Sequence, residues 1–175
     1  MAKRVSLRPE WLKAERVEDI YSVSSCVSND FADYFTYWKH NGFWFFDSPE
    51  IIKELSQQNS IELTRTMLFF YEAYEFEFNI DEGEWTAFQP DPAFKTDIAL
   101  PTEKRLEGYD VVNFDGSQAD CSPLSCNSLA RDVETNRHCL LASFERAKQL
   151  VEEGIFKNAE PGNNRIFAVY SLEWF

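Results

Sequence analysis

Cysteine and histidine are the side chains that zinc prefers, and Cys121-x4-Cys126-x11-His138-Cys139 gathers four of them in one short stretch. The spacing argues against a metal centre. Structural zinc sites draw paired ligands from tight turns at about two to four residues apart, and the adjacent His138 and Cys139 would have to turn toward one ion. Cys126, one helical turn before Leu129 and Ala130, reads as a small hydrophobe on a helix face. Cys121 sits ahead of that helix, where the dipole would acidify its thiol, but Asp120 beside it acts the other way. A nucleophilic pair would also need His40 or His138 within hydrogen-bond reach, which spacing does not establish. The expectation is therefore no metal, no cofactor and no assigned catalytic residue. Phosphate-cradling loops, a GxSxG elbow and an HExxH helix are all missing from the sequence.

Carboxylates are the other chemistry-bearing group, in Glu72, Glu75, Glu77, Asp81, Glu82 and Glu84. Two of them could act as a general acid and base, but so many at alternating spacing read as a solvated strand face. With Trp85 beside them as an aromatic anchor, these six acids are the predicted partner-binding surface.

The segment that must position them runs from Met67 to Asn79. From Tyr74 it alternates, with Tyr74, Phe76, Phe78 and Ile80 on one face and Glu75, Glu77 and Asn79 on the other. Met67 to Tyr71 has no polar side and reads as buried on both faces. Glu72 is the misfit, since period-two pairing puts it between Phe70 and Tyr74. A bulge at Glu72 and Ala73 would flip the parity and bring Glu72, Glu75 and Glu77 outside together. The alternatives are a solvent-side exit of Glu72 at an edge and a buried functional acid.

Around that strand the chain reads as α+β: a single domain over residues 1–175, mainly an antiparallel sheet packed against about three to four helices, with residues 1–16 as a basic arm. Val17 to Ser24 is a first strand. A helix capped by Ser28 or Asn29 carries Phe31, Tyr34, Phe35 and Trp38 on one side and stops at Asn41-Gly42. Phe43 to Phe46 is a short strand, Ser48-Pro49-Glu50 opens a second helix, and Phe88 to Pro101 is loop. Tyr109 to Phe114 is a strand, Ser122-Pro123 opens a short helix to about Ala130, Ser143 caps the last helix, and Arg165 to Leu172 is the closing strand.

Composition narrows the function. The 175 residues include 16 Phe, 7 Tyr and 5 Trp, more aromatic surface than one small core needs, so some is expected to line a groove or partner face. The net charge of −13 is uneven, with −7 carried by residues 59 to 98 and −1 by residues 121 to 175. Such a chain repels phosphate backbones, so nucleic acid is excluded as a partner, and a basic protein is favoured. No apolar run suits a secretory signal or a membrane span, which reads as a cytoplasmic protein with reduced cysteines. The resulting reading is a small acidic cytoplasmic binding protein that inhibits or neutralises a basic protein partner, as an immunity or antitoxin-like inhibitor does. The alternative is an enzyme of unrecognised type using Glu72 or the Cys121 and His138 region.

Overall fold

The computed structural model describes residues 2–4, 6–7, 10–23, 46, 48–64, 66–88, 100–114 and 121–173. In chain order these form strands β1 (Ala2–Arg4), β2 (Ser6–Leu7) and β3 (Asp19–Ile20), helix α1 (Pro49–Asn59), strands β4 (Thr66–Asn79), β5 (Glu84–Ala87) and β6 (Arg105–Phe114), helix α2 (Phe144–Glu152) and strand β7 (Asn163–Leu172). The aromatic run of β4 is the spine of an antiparallel sheet of order β1-β4-β7-β6, with β5 folding back onto the far end of β4. Strands β2 and β3 pair separately.

The helices depart from expectation. Among the described residues there are two α-helices, so the sheet is not packed against three to four. Ser48-Pro49 does open α1, and Ser143 opens α2 by accepting a hydrogen bond from the Arg146 N–H at 3.1 Å. Ser122-Pro123 opens no helix. The Ser122 hydroxyl is donated to Asp110 at 2.6 Å, which removes it from capping, and the chain proceeds through turns to a single 3-10 turn at Leu129–Arg131. Cys126 is thus half-buried on a turn, not on a helix face. The predicted strand over 17–24 shrinks to the two residues of β3 within the described part. The expected helix carrying Phe31, Tyr34, Phe35 and Trp38, and Cys26, His40 and Phe43 to Phe45, lie outside the described residues.

Register explains where the aromatics of β4 go. Pairing with β7 runs from Leu68 opposite Leu172 to Ala73 opposite Phe167, then resumes at Glu77 opposite Arg165. Two extra residues of β4 are absorbed in between, and an even insertion leaves side-chain parity unchanged. The expected bulge at Glu72 and Ala73 therefore gives way to an irregularity a few residues later that flips nothing. Both faces of the sheet are covered instead. On one, α1 packs Ile52 and Leu55 around Leu68 and Leu172, and α2 packs Ala147, Leu150 and Val151 with Phe78, Val111 and Ile166. On the other, Phe69, Val112, Phe167 and Val169 meet Tyr21, Val23 and Leu140. Burying both sides accommodates the aromatic content that a one-sided core would leave exposed.

The second face is closed by the chain either side of His138. The Glu18 N–H donates to the Arg137 carbonyl at 2.8 Å and the Tyr21 N–H to the His138 carbonyl at 3.1 Å, while Tyr109 and Leu141 exchange backbone hydrogen bonds at the edge of β6. That edge requires Gly108: a Cβ there would stand 2.8 Å from both Leu140 Cβ and the Leu141 carbonyl oxygen, at φ +149°.

Candidate functional site

The predicted acids divide into two settings. At the tip of the β4–β5 hairpin, Asn79 Oδ1 accepts from the backbone N–H groups of Asp81 at 3.0 Å and Glu82 at 3.1 Å, and Gly83 adopts φ +71°. This ordered turn leaves Asp81, Glu82 and Glu84 exposed. Glu75 is exposed and Glu77 half-buried along the strand leading to it. Among the described residues, no lysine, arginine or histidine nitrogen comes within salt-bridge distance of Glu75, Glu77, Asp81, Glu82 or Glu84.

Trp85 is less free than an interface anchor would be. It stands opposite Phe78 in the hairpin, with its ring 5.2 Å from Phe78 and 5.7 Å from Tyr74, and its indole N–H donates to Glu152 Oε1 at 2.9 Å. The residue fastens the hairpin to α2.

Glu72 belongs to the other setting. Unflipped parity keeps it on the helix-bearing face beside Phe70, where it takes the solvent-side exit: Lys104 Nζ meets its Oε2 at 2.9 Å, with the carboxylate side chain 55% exposed. The rungs Phe70–Tyr170 and Glu72–Ala168 lie between the sheet position under α1 and that under α2. A groove of about 350 Å³ opens there, lined by Glu72, Glu75, Tyr74, Tyr109, Phe144 and Tyr170 among others. Lys104 reaches over the Tyr170 ring at 4.1 Å and the Phe70 ring at 4.9 Å. Burial first, then the nearby Glu72 charge, raises the Tyr170 hydroxyl above the usual tyrosine range. Lys104, Tyr109, Phe144 and Tyr170 escaped the sequence reading. The signal available was the misfit of Glu72 itself, which marks the rung where the face is open.

A third set of ionisable groups is internal. Asp110 is fully buried on β6, and its carboxylate accepts from Ser22 Oγ at 3.0 Å, the Val23 N–H at 2.8 Å and Ser122 Oγ at 2.6 Å. His138 stacks on Tyr21 at 3.9 Å between ring centres; its Nδ1 meets Asp19 Oδ1 at 2.5 Å, and its Nε2 accepts from Arg137 Nε at 3.1 Å. Glu107 accepts from Ser171 Oγ at 2.5 Å and from Arg105 Nε at 2.8 Å. Burial pushes the Glu107 carboxyl up, but these two hydrogen bonds and the charge of Arg105 outweigh it and hold the group below the usual glutamate range.

Among the described residues the cysteine chemistry does not assemble. Cys121 pairs with Asn113 near one end of β6, whereas His138 lies beside Glu107 toward the other, 3.9 Å from its carboxylate. Six residues of extended strand separate these points by roughly 20 Å, far beyond a nucleophile–base contact. Cys139 is buried at φ +63°, and burial followed by the Asp110 charge pushes its thiol up to about 12. Among the described residues no three His, Cys, Asp or Glu side chains cluster to hold a metal ion, and no helix is long and apolar enough to cross a membrane. No family model, curated protein or solved structure matches this chain.

Proposed function

We propose that this is a small acidic cytoplasmic protein that binds a basic protein partner and inhibits or neutralises it, in the manner of an immunity or antitoxin protein. The observation that carries the reading is the acidic hairpin: Glu75, Glu77, Asp81, Glu82 and Glu84 share one strand end and its turn, and no cation of the described residues comes within salt-bridge distance of them, the buried Arg165 opposite Glu77 lying over the Phe88 ring. Like charges held together in this way repel one another, and a complementary basic surface relieves that repulsion while speeding encounter. The rigidity matters because an ordered turn loses little freedom on binding. Trp85 serves as the support that sets the hairpin's angle against α2 and presents its edge to the partner.

The test is capture of a partner by the wild-type protein and by the Glu75→Lys/Glu77→Lys variant, at low and at high salt. A basic protein retained by the wild type, released by salt and lost from the variant is the expected result. Identical sets of proteins retained by both would show that the acid is merely solubilising charge.

A further inference from the structure

Glu72 is set apart from the other acids by what surrounds it. The groove beside α2 has aromatic walls in Tyr74, Tyr109, Phe144 and Tyr170 and a carboxylate in Glu72; Leu106, 45% exposed, stands opposite Tyr170 in register. An ammonium group on an aliphatic stem is the ligand that matches such a lining, because ring faces and a carboxylate both attract the charge while the stem covers apolar surface. The chain already demonstrates the fit: Lys104 Nζ sits 2.9 Å from Glu72, 4.1 Å from the Tyr170 ring centre and 4.9 Å from that of Phe70. It does not fill the space. The lysine comes from the residue just before β6, its side chain is still 27% exposed, and the groove beyond it toward Tyr74, Tyr109 and Phe144 stays open.

We propose that this groove is a receptor for a lysine side chain of the basic partner, and that Lys104 is a resident occupant which the incoming lysine displaces. The inference rests on the basic-partner reading for the identity of the ligand but not for the chemistry of the groove. Charge complementarity commits it to that occupant, since a chain of net charge −13 with the Glu72 carboxylate in the groove disfavours an anionic or purely apolar one. Lys104 then acts as a built-in competitor. It keeps the aromatic faces from binding unrelated apolar surfaces, and it lowers the apparent affinity for any lysine by the fraction of time it occupies the cage.

The experiment uses n-butylammonium as the probe and n-butanol as its uncharged counterpart, followed by NMR shifts of the Tyr170 and Tyr109 rings in the full chain. Lys104→Met, which keeps an unbranched stem and removes the charge, is expected to bind n-butylammonium roughly tenfold more tightly than the wild type. Adding Glu72→Gln to that variant is expected to abolish the gain, and n-butanol is expected to bind none of the three proteins. Both positions are partly exposed, and circular dichroism checks that each variant is folded. Equal binding of n-butylammonium by the wild type and Lys104→Met, or equal binding of n-butanol, would overturn the proposal. A small amine needs no protein partner, so failure here leaves the hairpin reading to stand on partner capture, and failure of capture leaves this groove measurable.

Discussion

Asp110 and Asp81 are two aspartates of one sheet placed in opposite surroundings. Asp110 is fully buried and accepts three hydrogen bonds that tie β6 to the segment at Ser22 and Val23 and to the turn at Ser122. Asp81 stands exposed on a hairpin tip, with its backbone fixed by Asn79 and its carboxylate turned over to solvent. The same contrast separates Glu107, held by Ser171 and Arg105, from Glu75 and Glu84. A carboxylate locked in donors builds the fold and has nothing left to offer a partner, whereas one without an internal cation contributes little to stability and is free to recognise. Net charge alone does not distinguish the two, and the internal set must be subtracted before the acid is read as a binding surface.

Substitutions sharpen the comparison in a definite order. The largest loss is expected from Asp110→Ala, which leaves two hydroxyls and a backbone N–H without their buried acceptor; a cost of about 3 to 5 kcal/mol should appear in the urea unfolding midpoint. Gly108→Ala is next, at about 2 to 3 kcal/mol by the same measurement, because its Cβ would meet Leu140 and Leu141 backbone at a φ unsuited to L side chains. Trp85 straddles the two classes. Trp85→Ala should cost about 2 kcal/mol by losing the Phe78 and Tyr74 contacts and the Glu152 hydrogen bond, and Trp85→Phe about 1 kcal/mol by losing chiefly the latter.

Much of this partition was hidden in the sequence, for physical reasons. The strand over Met67 to Asn79 could be read, because alternation of Phe76 and Phe78 with Glu75 and Glu77 is local information, whereas the short return strand Glu84–Ala87 was not. The helices around Leu55 and Leu150 were legible from their Ser caps. The same grammar failed at Ser122, since the hydroxyl that would cap a helix is claimed by Asp110, twelve residues away in sequence and invisible to any local rule. Glu72 was flagged as a misfit, yet its resolution required Lys104 and Tyr170 to arrive from two other strands' ends, which register alone determines. Trp85 was read as a free anchor because its partners on α2 are distant in sequence. The two-sided cover over Met67 to Tyr71 was legible from the lack of a polar side there, but the segments that supply it, around Tyr21 and Leu140, were not.

Acid titration gives a smaller and separable effect. Because the Glu107 carboxyl is held below its ordinary value, its contribution is fully present above the unfolded glutamate pKa of about 4.3 and is lost as pH falls through the lower folded value. Glu107→Gln should therefore flatten the fall in stability below about pH 4.3, as followed by thermal unfolding.

The smallest stability change, and the largest functional one, is expected at the hairpin. Glu75→Lys/Glu77→Lys should move the unfolding free energy by about 0.5 kcal/mol, since neither acid has a salt bridge among the described residues to lose and the cost is that of a lysine opposite Arg165 at position 77. Measuring the salt dependence of partner capture by that variant, alongside a wild type of matched unfolding midpoint, tests the central claim most directly. The account predicts that salt-sensitive capture of a basic protein disappears while the midpoint stays put; capture that persists unchanged would contradict it and return these acids to the role of solvated charge.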